Sequence, residues 1–309
     1  MTTASSLDQA RALEQIAGVR LRDDLELVRV RGEDAQTWLN GQVTADVREL
    51  KAGQGVYSLA VTVRGKIMAD LWVVRSGSEL GVLLPKTAAD TVLASFEHQI
   101  IMEDVELVRD PAVRVVSVQG PRAGEVIAAA ELEDVDRERC DELGHGGELL
   151  LVAAGRADDV HARLVTAARA AGGGAVDDSG FELARLRTGR PRFERDFGLE
   201  QYPQEAGLEA RAVSFSKGCY LGQEVICTLE NRGRLTRRLT RLRAAEGTLT
   251  PGSELVDAAA KTVGKVTSVV LDPESGQLLA LGYVKQAAAN AGVALHSGGT
   301  AVDVQGVVE

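Results

Sequence analysis

Two stretches of this 309-residue chain, VRVRGEDAQTWL (28–39) and VVSVQGPRAGEVI (115–127), follow the same order: an alternating apolar strand, a glycine, and an alanine three residues later that opens an amphipathic run. Two such strand–glycine–helix junctions, if copies of one unit, impose two similar α+β halves. Junctions of this kind are common, so the echo admits either coincidence or duplication. Leu25–Arg31 alternates like a half-buried strand, and AQTWLNGQV follows it as a helix. Residues 55–63 and 67–75 are apolar-rich runs joined by Arg64-Gly65-Lys66, which reads as a β-hairpin. Pro85 opens a helix with Val92, Leu93, Phe96 and Ile100 near helical spacing, and a strand is predicted around 105–109.

Farther along, ELLLVAA from Glu148 reads as a buried strand. Asp158 is placed to cap a helix that runs to Ala171 and ends at Gly172-Gly173-Gly174. Asp177-Asp178-Ser179 offers caps for a helix carrying Phe181, Leu183 and Leu186, stopped by Gly189 and Pro191. Beyond Arg234 the texture changes to short strands, among them VGKVTSVVL and QLLALGYVK, between turn signals at Pro251-Gly252, Asp272-Pro273 and Ser275-Gly276. That pattern predicts a small β-barrel or sandwich. The expected division is 1–110 and 111–234 as α+β domains, with segment exchange between them left open, and 235–309 as the barrel.

Apolar residues make up 45% of the chain, enough for substantial cores, so disorder of the whole is excluded. A net charge of -10 and a pI near 5.1 disfavour a dedicated nucleic-acid or anionic-lipid binder unless a local basic patch overrides them. No run approaches the roughly 18 to 20 apolar residues that cross a bilayer, and MTTASSLDQARALEQIAGVRL lacks a basic segment followed by an apolar one. The three cysteines, Cys140, Cys219 and Cys227, form no CxxC. A cytoplasmic, disulfide-free protein with no membrane partner and no metal site is expected. Trp38 and Trp72 read as core residues, Cys227 as helix packing, and the histidines receive no role.

Chemistry concentrates in KGCYLGQE (217–224). Residues 222–230 read as a helix with Val225, Ile226 and Leu229 on one face and Glu224 in its first turn. Cys219 then precedes a helix N-terminus, and Lys217, two residues upstream in extended chain, projects from the same side. An ammonium and helix amides both favour thiolate over thiol. Gly218 and Gly222 leave the backbone open to a ligand. The plainer alternative keeps the glycines as turn formers, the lysine as a solvated charge and the cysteine as a gap filler.

KGCYLGQE, preceded by PQEAGLEARAVSFS, resembles the signature of the YgfZ family, folate-binding proteins related to the T-protein (aminomethyltransferase) of the glycine cleavage system. WLNGQVTADV (38–47), VTVRGKIMADLWV (61–73), ARLRTGRPRF (184–193), VGKVTSVV and LALGYVK are similar to further family segments in the same order. The resemblance implies two α+β domains and an antiparallel β-barrel in a ring around a channel for tetrahydrofolate. It also implies a role in assembling or repairing iron-sulfur proteins, with assembly or client proteins as partners. On that basis Cys219 is the reactive group, Lys217 tunes it and Asp70 serves as a general base. Gly218 and Gly222 admit the ligand and Tyr220 packs on it. Gln223 and Glu224 hydrogen-bond nearby, and Asn40 and Arg187 contact the cofactor.

Departures from the aminomethyltransferase pattern set the ranking of functions. Aminomethyltransferases resemble one another in two adjacent aspartates where this chain has Ala69-Asp70, and in an acid where it has Arg187. A cation cannot accept hydrogen bonds from pterin N–H groups. A folate-binding accessory protein is therefore placed ahead of an aminomethyl-transfer enzyme. A tRNA-binding or tRNA-modifying protein comes third, through the arginines at 232, 234, 237, 238, 241 and 243. Those arginines also suit the glutamate tail of a folate, or simply a solvated strand edge.

Overall fold

A computed structural model describes residues 4–309, the side chain of Arg232 excepted. The chain divides into two compact units that interleave in sequence. The first takes residues up to Thr62, Met68–Phe181 and Ala212–Leu221; the second takes Val63–Ile67, Glu182–Arg211 and Gly222–Glu309.

The first unit holds two five-stranded sheets. Helix α1 (Ser6–Gln15) and strand β1 (Gly18–Leu21) lead into β2 (Leu25–Arg31), α2 (Ala35–Gln42), β3 (Gly55–Val61), β4 (Ile67–Ser76), β5 (Glu79–Pro85), α3 (Lys86–Glu97) and β6 (Glu106–Arg109). Then come β7 (Val113–Gln119), α4 (Ala123–Ala129), β8 (Asp136–Arg139), β9 (Gly147–Ala153), α5 (Ala157–Ala170) and β10 (Gly174–Ala175). One sheet has the order β3-β4-β5-β2-β6, the other β10-β1-β7-β9-β8. Remove β3 from the first and β1 from the second, and both become one strand–helix–strand–strand–helix–strand unit, with its strands ordered alike. The echo between 28–39 and 115–127 falls on the corresponding first junction of each. Both junction glycines have positive φ, 113° at Gly32 and 131° at Gly120. A Cβ would meet the Asp104 carbonyl oxygen at 1.9 Å in one and the Ile16 carbonyl oxygen at 2.6 Å in the other, so only glycine fits.

The sheets face each other. Leu25, Leu27, Val74 and Leu83 from one pack with Val115, Leu149, Leu151 and Cys140 from the other, and Trp72 joins this layer half-buried. Helices α4 and α5 cover the outer face of the second sheet through Val126, Ile127, Val160 and Leu164. Burial of such side chains contributes about 1.5–3 kcal/mol each before the entropy of ordering is subtracted. Trp38 is core as expected: its ring meets Phe96 edge-on at 5.7 Å and its Nε1 donates to the Gln99 carbonyl. Asp158 does not cap α5. Arg156 holds that position, and Asp158 lies in the first turn, where its charge suits the helix dipole.

The second unit is built on a closed barrel. After α6 (Asp178–Thr188), α7 (Glu209–Ala212) and α8 (Gln223–Arg232) come β11 (Arg237–Ala244), β12 (Glu254–Val256), β13 (Thr262–Leu271), β14 (Leu278–Lys285), β15 (Ala294–Ser297) and β16 (Thr300–Val307). The order around the barrel is β11-β14-β13-β12-β15-β16, and each neighbouring pair is antiparallel. Closure leaves no strand edge unpaired. Leu242, Leu255, Val266, Val284, Leu295 and Val302 fill its interior. Arg185, 1% exposed, ties α6 to this barrel by donating to Asp196 at 2.8 Å and to Ser268 on β13 at 2.8 Å. Among the described residues no helix is long and apolar enough to cross a membrane.

Candidate functional site

The residues of WLNGQVTADV and residues 217–221 of KGCYLGQE, far apart in sequence, meet in the first unit. Helix α2 ends at Gln42, and its last carbonyls have no partner within the helix. Lys217 supplies one. Its Nζ donates to the carbonyls of Asn40 at 2.5 Å, Val43 at 2.8 Å and Ala45 at 2.6 Å, so all three ammonium protons are committed. Burial pulls the Lys217 pKa down to about 8, against the attraction of the Asp46 carboxylate. Asn40 turns its side chain to the same loop, where Oδ1 accepts from the Val47 amide at 3.1 Å. The buried Thr44 completes the joint: its hydroxyl donates to the Ala212 carbonyl at 2.5 Å and accepts from the Leu59 amide, while its own carbonyl accepts from the Ser214 amide. Leu221 closes the loop by donating its amide to the Gly41 carbonyl at 3.0 Å.

This geometry corrects two expectations. Lys217 does not share an open side of the chain with Cys219: the lysine is 6% exposed and the thiol is exposed. Carbonyls at a helix end attract an ammonium more strongly than a neutral thiol does, and they set its direction. Tyr220, expected to pack on a ligand, is 6% exposed, and its ring lies 5.1 Å from the Lys217 ammonium. Lysine and tyrosine thus form the base of the loop, and Gly218 and Cys219 its exposed crest. Gly218 has open space where a Cβ would be.

The second half of KGCYLGQE belongs to the second unit. Gly222 is the N-cap of α8 with φ 78°, Glu224 is exposed in the first turn and Gln223 is half-buried. Ile226 is buried, and its carbonyl accepts from Gln204 at 2.9 Å. Cys227 is half-buried and Cys140 fully buried, and burial raises the Cys140 thiol pKa well above its ordinary value. In the same unit Glu205 gathers charge that the sequence did not flag. Its carboxylate meets Arg237 at 3.2 Å, Lys66 at 3.8 Å and the Tyr202 amide at 3.1 Å. The Lys66 ammonium also sits 3.3 Å from the centre of the Tyr202 ring.

Asp70 lies on β4 in the first unit. Ala69, Leu71 and Val73 are buried on one face of that strand, so Asp70 and Trp72 share the other, half-buried. The Tyr57 hydroxyl donates to Asp70 Oδ2 at 2.8 Å, and its ring lies 5.3 Å from Trp72. Asp70 thus carries the Tyr57 hydroxyl on its carboxylate and has Trp72 two positions along the same strand face.

Arg187 is held within the second unit. It donates to Asp272 at 2.6 Å and Glu274 at 2.8 Å in the β13–β14 turn. Burial pushes the Asp272 carboxyl up, but the bond and charge of Arg187 outweigh it and the net shift is downward. Of the other arginines, Arg237 pairs with Glu205 and Arg238 with Glu209, whereas Arg234, Arg241 and Arg243 are exposed. The side chain of Arg232 lies outside the described residues.

Comparison with known proteins agrees with this arrangement. Residues 4–144 match the GCVT N-terminal domain family. The chain is 30% identical over 247 residues to the tRNA-modifying protein YgfZ of Vibrio vulnificus strain YJ016, covering 78% of this chain and 74% of that protein. It is 26% identical over 342 residues to an aminomethyltransferase of Corynebacterium jeikeium, covering 98% and 87%. The crystal structure of glycine cleavage system aminomethyltransferase T from Bartonella henselae superposes with a TM-score of 0.86 over 97% of this chain and 88% of that one. At 21% identity that likeness shows the fold. With KGCYLGQE in place on that fold, the chain belongs to the YgfZ family, relatives of the glycine cleavage aminomethyltransferases.

Proposed function

We propose that the protein binds tetrahydrofolate and supports iron-sulfur protein assembly or repair, with Cys219 as the group presented to a partner. The observation that carries this reading is the thiol's setting: an exposed cysteine on the crest of a loop whose base is fixed by three buried hydrogen bonds from Lys217. A fixed, exposed thiol is suited to a transient contact with another protein's cluster or thiol. Lys217 acts by positioning. For the cofactor, Asp70 would accept N–H donors, with Tyr57 and Trp72 framing the ring. Bound tetrahydrofolate would supply a carrier for one-carbon units. Aminomethyl transfer is the lesser reading, since Ala69 replaces an expected carboxylate and Arg187, whose Nη2 donates to Asp272 and Glu274, stands where an acceptor is expected.

Calorimetric titration with tetrahydrofolate tests the cofactor claim. Binding that weakens roughly tenfold or more in Asp70→Asn is expected. Heat no greater than that of dilution, or equal affinity in the variant, would overturn it. A nucleic-acid reading draws on the likeness to proteins named as tRNA-modifying and on the exposed Arg241 and Arg243 on the outside of β11. Neutralising those two, rather than the ion-paired Arg237 and Arg238, should flatten the salt dependence of tRNA binding if it occurs.

A further inference from the structure

Along α2 lies a cleft of about 420 Å³ lined by Asp34, Thr37, Trp38, Gly41, Gln42, Met102 and Glu103. Two features mark it as built to be covered. Ile101 and Met102 project into solvent at 82% and 93% exposure, and they do so from a pinned loop. Glu103 accepts the amides of Ile101 at 2.9 Å and Met102 at 3.0 Å, while Asp104 donates its amide to Asp34 at 2.9 Å and accepts that of Glu33 at 3.0 Å. Independently, Gln42 is only 9% exposed, and its Oε1 has no hydrogen-bond partner among the described residues. That oxygen is closed to solvent, so the wall of the cleft holds an amide whose hydrogen bonding is incomplete.

The charge of the cleft selects its occupant. Among the described residues the charged ones on its wall are Asp34 and Glu103, both acids; three backbone amides hold the Glu103 carboxyl below its ordinary range. Gly41 leaves open space at the floor where a Cβ would otherwise stand. We infer that this cleft docks a basic amphipathic segment of a partner protein, its apolar side chains laid against Trp38, Ile101 and Met102 and a lysine or arginine reaching the two carboxylates. The floor is continuous with the thiol loop, because the Gly41 carbonyl carries the Leu221 amide. An occupant is thereby seated on the helix that anchors Cys219.

Selection from a displayed library of random peptides about 14 residues long, on the full chain, tests this. Peptides with apolar residues at helical spacing and interleaved Lys or Arg should be enriched. Synthetic copies should bind Met102→Ser and Thr37→Arg at least tenfold more weakly by fluorescence anisotropy, both changes being on exposed side chains. Enrichment of acidic or uncharged peptides, or equal binding to the variants, would overturn the inference. Sedimentation gives the competing occupant its chance: a dimer that Met102→Ser converts to monomer would assign the cleft to a second copy of this chain and overturn it as well.

Discussion

Lys217 and Asn40 lie 177 positions apart in the chain and are joined by a 2.5 Å hydrogen bond from ammonium to carbonyl. That contact makes two separately legible motifs one structure: the end of α2 supplies the acceptors and the signature loop supplies the charge.

Lys217→Met leaves three inward-facing carbonyls without their donor. A loss of about 2–4 kcal/mol is expected, read as a lower urea midpoint at unchanged slope. The same variant should let the loop move, so Cys219 should react faster with a disulfide reagent than in the parent. An unchanged midpoint would remove the lysine from its anchoring role.

The Arg187 position admits a reversal of charge as a test. Arg187→Glu sets a third carboxylate beside Asp272 and Glu274, and a loss of about 2–3 kcal/mol is expected at neutral pH. The loss should shrink in acid as the cluster takes up protons. A variant as stable as the parent would show that the ion pairs carry no net stability.

Glu138 gives the pH dependence. It is 1% exposed on β8, and burial, with the nearby Asp136 charge, raises its pKa from 4.5 to about 8. Between those values the folded chain holds a proton that the unfolded chain has released. Its contribution is therefore fully present below about pH 4.5 and is lost as pH rises toward 8. Glu138→Gln should raise the melting temperature at pH 8 and flatten this part of the stability profile. A variant with the parent's slope would contradict the assignment.

Much of this fold was written in residue order. Strand β2, the helix after Gly32, the helix opened by Pro85 and the barrel strands at 262–271 and 278–285 follow from alternation, spacing and turn residues. Strand β8 did not, because DRER has no apolar alternation; it is held by backbone pairing and by the Arg137–Glu148 ion pair with β9. The presence of β1 in the second sheet was also hidden, since four residues cannot announce a partner nearly a hundred positions away. At the candidate site, the concentration of polar chemistry in KGCYLGQE was legible but the direction of its lysine was not. Proximity in sequence favoured Cys219, while the unsatisfied end of α2 was a stronger attractor that only the folded chain brings within reach. Glu205 was missed for a related reason: its partners Lys66 and Arg237 come from a hairpin tip and a barrel strand.

The most direct test of the account uses Cys219 itself. In a strain lacking its own copy of this protein, the activity of iron-sulfur enzymes is measured after return of the parent, Cys219→Ser or Cys227→Ser, with protein levels matched by immunoblot. The account predicts recovery with the parent and with Cys227→Ser, and failure with Cys219→Ser. Full recovery with Cys219→Ser would contradict it.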